Sequence, residues 1–418
     1  MYIRKVSALI KGDAWMLFYS ERIYTPEGFR TGYLKVEDGK IAGIVEERGS
    51  QDVIDYTDKM IVPGFIDVHI HGWATGSFIH QGDKRSLENM SEDLVHMGVT
   101  SYLATTGTDS LEKLKKQVSE ADAFIEEWQP EKGAQVIGVH LEGPFINEEY
   151  KGMQKAEYCL PPSVEVVDTL LTEGKEGIVK LMTLAPELPG AREVIHYLHQ
   201  KGIQVSVGHS AAEFEDIQQL KKYGLGGFTH TFSGMRGMHH RRLAVAGAAM
   251  YFDDMYAEFG KQTGLTVKPE AFAIVYKIKG PDKVFLTTDC TGLAQAEEAT
   301  YHYIRQATFE PEGKNEVKVT HDDGRVERFD KSDYDSVKDI ELGFLSSVQN
   351  VVKNIDASVG EIVKMASENP AKYIGVYDQK GSIERGKDAD FIVVDGDWKL
   401  YDTYIQGVKQ PVNQEKNV

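Results

Sequence analysis

A chain of 418 residues is long enough to bury a large core, as one big domain with an appendage or as two to three domains. Its formal net charge of −18 excludes the basic surface that grips nucleic acid, although a pocket can oppose the global sign and still take an anionic small molecule. Two cysteines, Cys159 and Cys290, are too few for a disulfide scaffold and point to a reducing compartment. The apolar run 6–10, after Arg4 and Lys5, is too short for a signal-peptide core. No stretch approaches the roughly 20 apolar residues of a membrane span. A soluble, cytoplasmic protein is expected.

Residues 1–62 read as short strands. The runs 33–37 and 40–45 flank Asp38-Gly39, a strong two-residue hairpin signal. From Pro63 the texture changes. Strand-like runs at 64–69, 99–105, 135–141, 179–184, 204–208, 227–229, 245–252 and 284–288 alternate with amphipathic patterns such as 87–97, 111–128, 191–201 and 214–223. That alternation predicts a (β/α)8 TIM-like barrel of the α/β class. An open doubly wound sheet is the competitor, but no Gly-x-Gly-x-x-Gly follows an early strand. A polar insertion spans 297–340, with Asp322-Asp323-Gly324 turning a hairpin between 316–320 and 326–329. Helices are expected at 343–354 and 360–367, and a last helical turn from Asn369-Pro370-Ala371. The end of the chain returns to short strands with glycine turns. The two β-rich ends are expected to pair into a small β-sandwich domain, residues 1–62 with 375–418, beside a barrel of residues 63–374.

In a barrel of this kind, functional groups come from the C-terminal ends of the strands. The first strand ends Asp67-Val68-His69-Ile70-His71-Gly72. Alternate residues of a strand point the same way, so His69 and His71 leave on one side. Neutral imidazole is a common metal ligand. The third run ends at Glu142, before Gly143-Pro144. The fifth ends at His209, the sixth at His230 and the eighth at Asp289. One such residue alone is most often structural. His-x-His, Glu, His, His and Asp at successive strand ends together predict a metal site. His196 and His199 share a helix face and read as solvated. His140 has two open readings, support for a metal ligand or a satisfied buried imidazole. His239 and His240 lie in a loop within reach of a substrate. Cys290 reads as a buried thiol, not a nucleophile.

The segment Pro63-Gly64-Phe65-Ile66-Asp67-Val68-His69-Ile70-His71 resembles the amidohydrolase superfamily. So does Lys380-Gly381-Ser382-Ile383 with Gly386 and Ala389-Asp390 near the end. His140-Leu141-Glu142-Gly143-Pro144-Phe145, Gly208-His209-Ser210, Thr229-His230-Thr231-Phe232 and Thr288-Asp289 resemble, more specifically, the N-acetylglucosamine-6-phosphate deacetylases. The resemblance implies that Glu142, His209 and His230 hold a main divalent metal. It also implies that His69 and His71 hold a second with Glu142, and that Asp289 is the catalytic aspartate at the metal. The metal would be Zn, Fe, Mn or Co, with zinc the first expectation. The segment Phe232-Ser233-Gly234-Met235 stands where the family has a substrate-contacting loop, and Arg241 where it has a phosphate-binding arginine reaching partly across a dimer interface. His240 belongs with these. The expected partner is an anionic amino sugar, and a homodimer is implied.

Three positions depart from the family pattern. Gln154 and Thr266 stand where the family has histidines that face the substrate, and Ser233 replaces an asparagine. The implied activity is deacetylation of N-acetylglucosamine 6-phosphate or a close relative. The alternatives are an amidohydrolase acting on another N-acyl or cyclic amide substrate, and a non-catalytic descendant that only binds a ligand.

Overall fold

The computed structural model describes residues 15–50, 52–260 and 265–412. The short apolar run near the start of the chain, and Thr263 and Gly264, lie outside the described residues.

Eight parallel strands follow one another round a nearly closed barrel: Phe65–Ile70, Val99–Thr106, Gln135–Glu142, Val179–Leu184, Gln204–Val207, Leu225–Phe228, Tyr256–Gly260 and Val284–Thr287. The strand Val99–Thr106 is buried along its whole length, as expected where helices cover a parallel sheet. The helix Leu111–Glu127 shows why the covering helices form. Ser110 caps it by accepting from the Lys113 N–H, and Leu114, Val118, Ala121 and Phe124 form one buried stripe.

The seam between the first and eighth strands is closed by a side chain. Buried Asp67 accepts from the Thr288 hydroxyl at 2.7 Å and from the Thr288 N–H at 3.3 Å. The Asp289 N–H then donates to the His69 carbonyl at 2.8 Å, and the His71 N–H to the Cys290 carbonyl at 2.8 Å. These bonds set the ends of the two strands side by side. Burial pushes the Asp67 carboxyl up to about 7, against the pull of its hydrogen bonds to Thr288 and His69.

One expectation fails. The run 245–252, read as the seventh strand, is the helix Ala244–Tyr251, and the seventh strand is Tyr256–Gly260. Six of the helix's eight residues are buried, so no polar face betrays its period. Its alanines favour a helix over a strand.

Both chain ends build a separate mixed sheet. Trp15–Thr25 pairs with Gly28–Glu37 and with Met60–Pro63, and Met60–Pro63 pairs with Phe391–Val394 from the far end of the sequence. Asp38 and Gly39 both take positive φ, 50° and 73°, as a tight two-residue hairpin turn requires. Phe18, Phe391 and Tyr404 pack ring on ring at 4.6–5.0 Å in the core of this domain. Buried Lys380 lies 2.8 Å from Asp388 and 2.5 Å from Asp390. Burial works against its charge, but the two carboxylates outweigh burial and hold it protonated.

The insertion after the eighth strand is a four-stranded antiparallel sheet, Thr300–His302, Ala307–Glu312, Glu316–His321 and Val326–Asp330. The expected hairpin is its second half.

Candidate metal centre and active site

The barrel strands deliver six side chains to one floor. His69 and His71 place their Nε2 atoms 3.1 Å apart. His209 and His230 do the same, at 3.1 Å, and each Nε2 lies 3.0–3.1 Å from Glu142 Oε1. Asp289 Oδ1 lies 3.5 Å from both His69 Nε2 and His71 Nε2. Two adjacent groups result: His69, His71 and Asp289, and Glu142, His209 and His230. Three of the six, His209, His230 and Asp289, have positive φ, 46°, 32° and 50°. L-residues avoid that region, and such strain gathers at functional sites. Here it turns each side chain inward just past a strand end.

The hydrogen bonds behind the ring nitrogens fix which way the lone pairs point. His69 Nδ1 donates to Glu258 at 2.6 Å, His209 Nδ1 to the Tyr150 carbonyl at 2.8 Å, and His230 Nδ1 to the Ser233 carbonyl at 3.0 Å. A neutral imidazole that donates from Nδ1 offers a bare lone pair at Nε2. Several acceptors therefore face one another and a carboxylate in a buried floor. Nitrogen and oxygen donors in such a constellation suit a divalent metal. Burial opposes a charge on His69, His71 and His230, but the carboxylates Glu258, Asp289 and Glu142 around them outweigh burial and raise their pKa values. Burial would raise Glu142, yet His209, His69 and His230 hold it well below the ordinary carboxylate range.

Glu258 is the residue that sequence reasoning missed. It is fully buried on the seventh strand and also accepts from the Thr287 hydroxyl at 3.2 Å and the His230 N–H at 3.3 Å. A carboxylate behind a ligand histidine fixes the ring and strengthens it as a donor. The signal was the alternating run Tyr256-Ala257-Glu258-Phe259-Gly260, hidden by starting the strand at 245 instead of 256. His140 resolves as a satisfied buried imidazole. Its Nδ1 donates to the Val68 carbonyl at 3.1 Å and its Nε2 accepts from the Thr183 hydroxyl at 2.8 Å. Burial and nearby His69 push its pKa well below the ordinary value, so it stays neutral.

Above the floor lies a cavity of about 570 Å³. Gln154, Ser233, Gly234 and Thr266 line it. Gly234 has φ 55°, and a Cβ there would stand 3.1 Å from His209 Nδ1 and 3.2 Å from His230 Cε1. Only glycine lets this loop approach both imidazoles so closely. His240 and Arg241 are exposed and do not line the cavity. The far wall comes from the insertion, through Glu297, Glu298, Thr300, His302, Tyr303 and Ile304. Cys290 is buried and its thiol donates to the Leu342 carbonyl at 3.4 Å. Among the described residues, no helix is long and apolar enough to cross a membrane.

Comparison with known proteins agrees with this geometry. The profile of the Amidohydrolase family matches residues 60–417. N-acetylglucosamine-6-phosphate deacetylase of Bacillus subtilis (strain 168) is 31% identical over 390 residues, covering 91% of this chain and 93% of the relative. N-acetylgalactosamine-6-phosphate deacetylase of Escherichia coli O157:H7 is 27% identical over 389 residues, covering 93% and 97%. The crystal structure of N-acetylglucosamine-6-phosphate deacetylase from Pasteurella multocida superposes with a TM-score of 0.80 at 28% identity, over 96% of this chain and 100% of that one. The chain therefore belongs to the amidohydrolase family and, within it, to the metal-dependent carbon–nitrogen hydrolases of the N-acetylglucosamine-6-phosphate deacetylase group.

Proposed function

We propose that the chain removes the acetyl group from an N-acetylated amino sugar phosphate, N-acetylglucosamine 6-phosphate or a close relative, to give the amino sugar phosphate and acetate. The observation that carries this reading is the convergence of His69, His71, Glu142, His209, His230 and Asp289 on one cavity floor. Glu142, His209 and His230 would hold the main ion, with zinc the first choice. His69 and His71, with Glu142 and Asp289 beside them, would hold a second. A divalent cation there supplies acidification of water and polarisation of the acyl carbonyl.

The remaining steps belong to the chain's own residues. Asp289 stands at the edge of the floor with its side chain a quarter exposed, open to both water and substrate. It takes a proton from water as the water oxygen adds to the acyl carbon. It then returns that proton to nitrogen as the carbon–nitrogen bond breaks, because an amine anion is a very poor leaving group. Ser233, Gly234, Thr266 and Gln154 border the space where the sugar would lie. His240 and Arg241 are exposed and outside the lining of this cavity, which fits the reading that they serve a partner subunit of a cytoplasmic homodimer.

A second reading keeps the chemistry and changes the substrate to another N-acyl or cyclic amide. The altered positions Ser233 and Thr266, both on the cavity wall, favour it. One assay separates the two. Amine release is measured from N-acetylglucosamine 6-phosphate, N-acetylgalactosamine 6-phosphate, their unphosphorylated forms, N-acyl amino acids and cyclic amides, with metal content determined on the same sample. A phosphorylated N-acetyl sugar turned over at a kcat/KM of about 10⁴ M⁻¹s⁻¹ or more supports the first reading. Silence on every sugar from metal-loaded protein, with turnover of another amide, replaces it by the second.

A further inference from the structure

Gln154 departs from the family pattern, and its contacts are specific. Its Oε1 accepts from the Thr108 N–H at 2.7 Å, and its Nε2 donates to Glu142 Oε2 at 2.5 Å. The amide cannot be flipped. The Thr108 N–H can only donate and the Glu142 carboxylate can only accept, so oxygen must face Thr108 and nitrogen must face Glu142. Thr108 follows the second barrel strand and Glu142 ends the third, so the amide ties two neighbouring strand ends together. The two oxygens of Glu142 are thereby given different work. Oε1 faces His209 Nε2 at 3.0 Å, His230 Nε2 at 3.1 Å and His69 Nε2 at 3.4 Å. Oε2 takes the Gln154 N–H and lies 3.3 Å from His71 Nε2.

We infer that Gln154 is a positioning residue for Glu142 and not a contact to substrate: its amide, anchored on the Thr108 backbone, holds Oε2 and so turns Oε1 toward His209 and His230. The inference rests on the metal reading of Glu142 and adds to it the device that aims the carboxylate. A carboxylate on a flexible side chain loses rotamer freedom when it binds an ion. Glu142 is already clamped, so that loss is taken in folding. Because both polar ends of the Gln154 amide are occupied within the protein, little of it is left to bind a sugar hydroxyl.

The test uses holoenzyme, wild type beside Gln154→Ala and Gln154→Met. The methionine variant is nearly isosteric and has no donor for Glu142, so it carries the test if the alanine variant does not fold. Metal affinity is read by competition against a chelator with the ion counted by mass spectrometry. KM and kcat are read on fully loaded protein. The expected result is metal affinity weaker by about 10- to 100-fold in both variants, with KM within about threefold of wild type. Unchanged metal affinity in a folded variant overturns the inference, as does unchanged affinity with KM raised tenfold, which would return Gln154 to the substrate. Absence of a tightly held ion in the wild type would instead bring down the metal reading itself, and the two failures are told apart by that control.

Discussion

The floor and the far wall of the cavity are built in opposite ways. On the floor, His69, His71, Glu142, His209 and His230 are at most 7% exposed, and His69, His209 and His230 are each held from behind by a named acceptor. On the wall, Glu297, Glu298 and Tyr303 are exposed, and Glu298 is tied to Lys155 by an ion pair at 2.9 Å between exposed groups. A pair of that kind adds little stability and is screened by salt. The floor is therefore preorganised, as chemistry requires, because a misplacement of about 1 Å can cost about 100-fold in rate. The wall is adjustable, as recognition tolerates.

The largest effects belong to the floor. Asp289→Asn keeps the shape of the side chain and removes the proton acceptor. Its kcat is expected to fall by about 10³-fold while the metal content per chain stays that of the wild type. A variant that keeps its metal and its full rate would remove Asp289 from the chemistry. Glu258→Gln comes next. The amide can still accept from His69 Nδ1, but the charge behind the ring is gone. Metal affinity or kcat should drop by about 10- to 100-fold, read by the same chelator competition and by steady-state rates. If neither moves, the floor is not held from beneath by Glu258.

The wall should answer differently. Tyr303 is 60% exposed and stands on the cavity rim. Tyr303→Ala is expected to raise KM by about 3- to 10-fold with kcat within about twofold, the pattern of lost ground-state and transition-state binding in equal measure. A fall in kcat at unchanged KM would mean that the wall takes part in the chemistry, and the contrast with the floor would then break down.

The same contrast explains what could be read from the sequence. Barrel strands that are buried on both faces announce themselves as apolar runs, and a histidine or carboxylate where such a run stops marks the open end of the barrel. That is why His69, His71, Glu142, His209, His230 and Asp289 could be gathered from one dimension. The helix Ala244–Tyr251 broke the rule because small apolar residues on all its faces erase the period that separates helix from strand. Misplacing that strand hid Glu258, whose role depends on a pairing with His69 across 189 residues of sequence. The wall was illegible for another reason. Its four strands are short, polar and outside the alternation, and nothing local says that their edge folds back over the cavity. Gln154 could be found as a departure from the family, but its bonds to Thr108 and Glu142 exist only once two strand ends are adjacent.

Asp93 belongs to neither region. It sits near the end of the helix Lys84–Leu94, 6% exposed, and accepts from the Thr75 N–H at 2.9 Å and the Thr75 hydroxyl at 2.6 Å. Thr75 turns the small hairpin Gly72–Trp73 to Gly76–Ser77, whose Ser77 hydroxyl donates to the Thr291 carbonyl at 2.7 Å. Thr291 in turn joins the eighth strand to the wall. Burial raises the Asp93 carboxyl to about 7, against the pull of its Thr75 hydrogen bonds. In the unfolded chain it returns to the ordinary value near 3.8. The fold thus prefers Asp93 protonated. Its contribution is full below about pH 4, declines as pH rises through about 7, and is constant above that. Asp93→Asn is neutral at every pH and can still accept from Thr75 through its amide oxygen. The variant should therefore gain on the wild type between pH 5 and pH 8 by on the order of 2 kcal/mol, read as a Tm difference that widens by a few degrees. Because the substitution touches neither floor nor wall, kcat and KM should stay within about twofold. A Tm gap that stays constant with pH would mean that Asp93 is ionised in the fold. A gap that closes as pH rises would reverse the sign of the linkage.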